Sequence, residues 1–332
     1  MHAGRSYSLQ EIVRWTRFET VTFTALAVVP TALHVYLGLK FLVLSWPPIA
    51  LLGTAVAFVT GFRNNASYAR LWEARQIWGS ILNTSRTFGI QIVDFLPPEE
   101  PLSTRTRIIH RHIAWLTLLR YQLRQCRIWE TMKLPENVEY HEVNHLNVAE
   151  WQGDLKTQLE PLLSQAERDA LLKRRSPAVA ALAHQSEDIS ALWRAGKLTE
   201  LCYLEIERTI ALLIDLQGRC ERIKNFPYPR QYATLNRIFI WLFIALLPLG
   251  LIQEFDKLGG NSVWFAVPVS VVISWVLHTM DKIGSASENP FEGTANDVPI
   301  TALSRTAEID LRDMLTEDPL PDALTPTNNI LL

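Results

Sequence analysis

From Trp46 to Asn65 the chain carries a single charge, Arg63, and it then runs through Phe62-Arg63-Asn64-Asn65-Ala66-Ser67-Tyr68-Ala69-Arg70-Leu71-Trp72-Glu73-Ala74-Arg75. About twenty apolar residues suffice to cross the hydrocarbon core of a bilayer as a helix, so this junction marks a membrane helix continuing into water. Within it Thr54, Phe58 and Phe62 recur at i, i+4 and i+8 and stack along one helical face. Beside them runs a bare stripe of Gly53, Ala57 and Gly61. Small residues at that spacing let helix backbones approach closely in lipid, where packing replaces the hydrophobic drive. One bulky face next to one bare face suits a helix repeated around an axis, with phenyl rings narrowing a central path. An ordinary packed membrane helix with aromatic filler has the same stripes.

Three more apolar stretches complete a four-span pattern: Val21 to Leu44 with Pro30 and His34 inside, Leu235 to Ile252 with Pro248, and Val263 to Leu277 with Pro268. Trp46-Pro47-Pro48 reads as a tight turn between the first two. Proline in all four regions points to kinked helices packed against protein. Arg14, Arg17, Arg63, Arg70, Arg75, Arg230, Arg237 and Lys282 lie beyond one set of helix ends, whereas the loop from Glu254 to Ser262 carries only Lys257 against two acids. By the positive-inside rule both termini and the whole middle lie in the cytosol, as expected for a multi-pass protein of the cytoplasmic (inner) membrane. The division expected is a cytosolic arm over 1–20, two spans with the pore-lining neck over 21–75, a helical domain over 76–230, two spans over 231–280, a packing segment over 281–318 and a disordered Pro/Thr/Asn tail over 319–332.

A net charge of −2 removes the electrostatic case for nucleic acid, which requires a basic stripe. Three cysteines without C-x-x-C spacing, Cys126, Cys202 and Cys220, imply neither a disulfide framework nor a zinc knuckle. The middle is helical, with no competing strand pattern. Helices are expected from Thr106 to Trp129, Ala149 to Lys173, Pro177 to Arg194 and Leu198 to Lys224, with a polar connector from Leu134 to Asn147 and a short amphipathic helix from Ile300 to Leu315. Arg107, Arg111, Arg120, Arg124 and Arg127 give the first of these a basic face, which either concentrates anions, as charged rings do in pores, or is ion-paired.

His141-Glu142-Val143-Asn144-His145 matches H-E-x-x-H, the zinc-hydrolase pattern in which two histidines one helical turn apart hold the metal and the glutamate activates water. The segment is polar throughout and lacks apolar flanks to bury such a helix, so a solvated loop is the expectation and a membrane-anchored metallohydrolase the alternative. His34 either relays protons or packs against a neighbouring helix. No phosphate-binding Gly-rich loop and no nucleophilic triad occurs, and neither a cofactor nor a catalytic residue is expected.

Three stretches resemble the bestrophin family in its short bacterial form: Gly61 to Arg75 followed by Trp78-Gly79; Cys220-Glu221-Arg222-Ile223-Lys224-Asn225 with Pro227 and Pro229; and Asn289-Pro290-Phe291-Glu292-Gly293 followed by Asn296-Asp297-Val298-Pro299. The resemblance implies an all-α homopentamer, four membrane helices per subunit and a helical cytosolic domain around one axial pore. It further implies passive conduction of small monovalent ions, chloride-type anions or cations, through a neck at Thr54, Phe58 and Phe62, where Thr54 stands in place of the usual apolar residue. A second cytosolic aperture maps onto Ala178, after Pro177. Animal members bind calcium through an acidic cluster after their Asn-Pro-Phe-Gly; here, in the stretch Glu292 to Asp297, Asp297 is the single acid after Gly293, so calcium gating is not expected. A non-conducting scaffold of the same assembly is the remaining alternative.

Overall fold

Residues 1–332 are described by a computed structural model that is helical throughout, apart from isolated bridges joining His2 and Thr327 to Ile330. The helices are α1 (Leu9–Leu37), α2 (Trp46–Phe95), α3 (Leu102–Arg124), α4 (Pro135–Val143), α5 (Ala149–Gln152), α6 (Leu155–Leu159), α7 (Gln165–Leu172), α8 (Pro177–Arg194), α9 (Glu200–Asn225), α10 (Arg230–Asp256), α11 (Ala266–Ala286) and α12 (Ile300–Met314). Short 3-10 turns, Lys40–Leu42 and Gly260–Phe265, precede α2 and α11. Two compact units result: a membrane-helix unit of Arg5–Ala69 and Pro227–Glu288, and a second unit of Met1–Gly4, Arg70–Phe226 and Asn289–Leu332. Four segments are long and apolar enough to cross a membrane: Leu9–Leu37, Lys40–Phe95, Arg230–Asp256 and Gly260–Ala286.

In the membrane-helix unit α1 begins well before the expected Val21, because Ser8 and Glu11 form a reciprocal capping box. The Ser8 hydroxyl accepts the Glu11 amide at 3.2 Å, and the Glu11 carboxylate accepts the Ser8 amide at 2.7 Å. Much of the expected arm over 1–20 is therefore helix. Gly38, at φ 63°, ends α1 in the left-handed conformation that glycine adopts without strain. Threonines are tolerated in this apolar helix because Thr16, Thr20, Thr24 and Thr31 each donate to the carbonyl four residues back, at 2.7–2.9 Å. Pro47 and Pro48 do not make a turn. They occupy the first helical turn of α2, where a missing N–H costs no intrahelical bond.

The core of this unit joins Phe23 of α1, Ile49 and Val56 of α2, Ile240, Phe243 and Leu247 of α10, and Ala266 of α11. Gly53 is required here: a Cβ on it would come within 2.6 Å of the Phe243 ring. Of the expected small-residue stripe, Gly53 thus seats α10, whereas Gly61 has open space beside it and Ala57 is exposed.

The second unit has an extensive aliphatic and aromatic core built on α3, with Trp115 and Phe88 fully buried and α8, α9 and α12 packed around it. Each large side chain so buried contributes about 1.5–3 kcal/mol. The Trp115 indole N–H donates to Gln217 at 2.8 Å, so burial leaves no orphaned donor. The helix expected over Ala149 to Lys173 is three short ones, α5 to α7. Gly153 and Pro161 interrupt it, and Asp154 and Ser164 cap new starts. The expected polar connector contains α4. The tail over 319–332 is also not free: Met1 and Leu331 exchange backbone hydrogen bonds, the Ala3 amide donates to Asn329, and the Ala302 amide donates to Leu332 at 3.0 Å.

Candidate functional site

On α2 two faces follow from the sequence. Ile49, Val56, Thr60, Arg63, Ser67 and Ala74 are buried, at spacings of three, four and seven that keep them on one side of the helix. Thr54, Phe58 and Phe62 fall opposite and are exposed, Phe58 by 67% and Phe62 by 60%. Their rings meet edge-to-face, with centroids 4.5 Å apart at 86°. Thr54 returns its hydroxyl to the Ala50 carbonyl at 3.0 Å, so its methyl and not a free O–H is the stripe's third apolar element. Two large phenyl groups in van der Waals contact with each other, and with little else of their own chain, form a bare apolar face.

Directly beneath that face Arg63 anchors the helix. It is 2% exposed and donates to Asp281, to Ser285 at 2.7 Å and to Glu288 at 3.2 Å, all at the end of α11 or just beyond. Arg230 also pairs with Glu288, and Asn236 of α10 donates to Asp281 at 2.7 Å while accepting from Thr60 at 3.2 Å. Two cations, buried Arg63 and half-exposed Arg230, balance two buried carboxylates in a network spanning α2, α10 and α11. Close helix contact requires Gly284, where a Cβ would collide with the Asn64 side chain. The network holds the register of Phe58 and Phe62 against the rest of the unit. Sequence reasoning treats Arg63 only as an interfacial charge; its acidic partners at Asp281 and Glu288, just past an apolar run, were the available signal.

Other sequence-predicted positions fare differently. Ala178 is fully buried in the second unit's core and presents no surface to a conduit; its neighbour Val179 is 40% exposed. The basic face of α3 is largely ion-paired: Arg111 meets Glu167 and Asp188, Arg107 also meets Asp188, Arg120 donates to Glu150 at 2.6 Å, and Arg124 reaches Asp297 at 3.4 Å through Nη1 alone. Arg127 lies beyond the helix and bonds Asn225 at 3.0 Å. The H-E-x-x-H pattern does not form a zinc site. His141 lies in the last turn of α4, His145 follows the helix at φ 51°, and no three His, Cys, Asp or Glu side chains are grouped to hold a metal. His34 lies 3.6 Å from Asp256, between the ends of α1 and α10. His112 is a core histidine, stacked on Phe88 and bonded to Ser85 at 2.9 Å; burial pushes its pKa down to about 3.

The Asn289-Pro290-Phe291 segment folds into a buried turn. Gly293 sits at φ +100°, and its amide and the Thr294 hydroxyl both donate to Asp297. Glu292, 1% exposed, accepts the Thr131 amide and hydroxyl, each at 2.7 Å. Burial, reinforced by the nearby Asp297, pushes the Glu292 carboxyl up to about 8.

Comparison with known proteins shows the family to which the chain is similar. The profile of the family described as Bacterial/Fungal Bestrophin protein matches residues 8–313. The voltage-dependent anion channel-forming protein YneE of Salmonella typhi is 28% identical over 88% of this chain and 83% of its own length. A protein of Ralstonia nicotianae, also described as voltage-dependent anion channel-forming, is 29% identical over 90% of this chain and 86% of its own. The crystal structure of a bacterial bestrophin homolog from Klebsiella pneumoniae superposes with a TM-score of 0.75 at 28% identity, covering 93% of this chain and 99% of that one.

Proposed function

Because the chain belongs to the bacterial and fungal bestrophin family, we propose that five copies surround one axis and conduct small monovalent anions passively across the cytoplasmic membrane. The bare face of α2 carries this reading: Thr54, Phe58 and Phe62 are exposed in the single chain, opposite a continuously buried face. In the assembly these three residues of every subunit turn to the axis and form the neck, and the open flank at Ala57 and Gly61 seats the neighbouring subunit. A constriction of phenyl rings resists wetting, and the cost of holding water there sets the barrier to ion passage. Ring edges carry the positive end of the aromatic quadrupole, and edges turned inward favour an anion.

The names of the Salmonella and Ralstonia relatives support anions over cations. Arginines and Lys282 at one set of helix ends, against a single lysine in the loop from Glu254 to Ser262, support an orientation with both termini and the second unit in the cytosol. Val179, exposed at the start of α8 beside the buried Ala178, is the position we assign to the second, cytosolic aperture. The reading is of a conductor and not an enzyme.

Purified protein in planar bilayers under asymmetric KCl tests the proposal. The expected reversal potential lies toward the chloride equilibrium potential. One lying toward potassium's reverses the selectivity, and an absence of current replaces the channel by a scaffold of the same assembly.

A further inference from the structure

The second unit holds a cavity of about 630 Å³ between the C-terminal end of α3, α4, α5 and the start of α6. Its volume falls in the range of small-molecule sites, roughly 300–1,000 Å³. Tyr121, Met132, Val138, Trp151 and Leu155 give it a mainly apolar wall, in which Val138 and Trp151 are partly exposed. Arg124, His141 and Glu150 line the same cavity, and all three carry buried polar atoms without a hydrogen-bond partner. On Arg124 these are Nε and Nη2. Those two N–H groups form one edge of the guanidinium and point in parallel, the pair that grips a carboxylate bidentately. On Glu150 the orphan is Oε2, because Oε1 already accepts from Arg120 at 2.6 Å and Thr301 at 2.8 Å. On His141 it is Nε2. The ring's other nitrogen bonds the Gly293 backbone, and burial keeps the imidazole neutral, so Nε2 is an acceptor.

Buried polar groups in folded proteins are nearly always paired, and three orphans around one cavity call for an account. Arg124 Nε and Glu150 Oε2 stand 3.9 Å apart, an ion pair too long to be a hydrogen bond. The atoms left without hydrogen bonds comprise a double donor and two acceptors beside an apolar, aromatic chamber. We propose that this cavity binds a free α-amino acid with a large apolar side chain. Its carboxylate takes the Arg124 edge, its ammonium donates to Glu150 Oε2 and His141 Nε2, and its side chain lies among Met132, Val138 and Trp151. The orphaned atoms are covered by neighbouring side chains in the empty chamber, so the ligand's charged end enters by side-chain adjustment at the slack between Arg124 and Glu150. Neither half of the ligand alone satisfies the set: a plain carboxylate faces Glu150, and a plain amine faces Arg124.

The site is independent of conduction, and the test uses binding. Isothermal titration calorimetry on the intact purified protein is run with L-phenylalanine, 3-phenylpropanoate, which lacks the ammonium, and phenethylamine, which lacks the carboxylate. Binding of L-phenylalanine at one per subunit is expected, with each half-ligand weaker by about tenfold or more, the scale of losing one charge-assisted pair. Arg124→Gln should abolish binding. Since Arg124 also meets Asp297, that variant can fail to fold, so Val138→Trp, which fills the cavity from an exposed wall position, serves as the second and should block binding in a protein that melts as the wild type does. Equal affinity for L-phenylalanine and a half-ligand, unchanged binding in folded Val138→Trp, or no heat with L-phenylalanine at all overturns the proposal.

Discussion

The two units bury charge for different reasons. In the second unit Arg111 and Arg124 sit beside a large core of aliphatic and aromatic side chains, and the outer surface is rich in ionised groups such as Glu205, Arg208, Asp215 and Arg219. In the membrane-helix unit the order is inverted: Val21, Leu51, Ile238, Leu242, Val272 and Val276 are exposed, while Thr60 and Asn236 are buried and bonded to each other. Such a unit is built for an oily surrounding, where polar groups must find partners inside because the solvent offers none. A buried ion pair therefore has a different alternative in each unit: water for the second, and none for the first.

The sharpest break of this comparison is at Arg63. Arg63→Ala leaves Asp281 and Glu288 with Asn236, Ser285 and Arg230 but without their shared buried cation, and a loss of about 3–5 kcal/mol is expected. It is read as a drop in the detergent melting temperature and a loss of the assembled species on size exclusion. Gly53→Leu is next in size. It drives a branched side chain into Phe243 and is expected to cost about 1–3 kcal/mol, whereas Gly61→Ala, with open space in the single chain, leaves the subunit's fold intact.

How much of this was legible in the sequence differs between the units for a physical reason. Long apolar runs have few alternatives, so four membrane helices follow from composition alone, and Pro177 to Arg194 is found as α8 because proline fixes its start. The segment from Ala149 to Lys173 was misread because helical periodicity survives across Gly153 and Pro161, although the chain turns there. The early start of α1 was written in Ser8 and Glu11 but masked by the charged residues that follow. At the site, the spacing of Thr54, Phe58 and Phe62 identifies a face, while the anchoring of Arg63 by residues more than two hundred positions away is invisible to any local pattern. Ala178 and Val179 differ in the same way: neighbouring positions on α8 are one buried and one exposed, which no local pattern distinguishes.

Two smaller effects sharpen the contrast. Glu292 has a folded pKa near 8, raised from an ordinary value of 4.5. Its burial is without penalty below about pH 4.5, where both states are protonated. The penalty then grows as pH rises and is complete above about 8, so the stability of the second unit falls between those limits and stays lowered above them. Glu292→Gln should flatten that part of the melting temperature against pH. Least of all, Arg208→Ala removes an exposed pair with Glu205 and should shift stability by less than about 1 kcal/mol.

The central claim is that the exposed phenyl face of α2 is the barrier to ions. Current through single channels in planar bilayers, compared between the wild type and Phe58→Ala/Phe62→Ala, tests it most directly. A dry aromatic neck predicts a larger conductance in the double variant with the subunit fold preserved, because neither ring belongs to the subunit's buried core. Equal conductance in the two proteins, or no current in either, contradicts it.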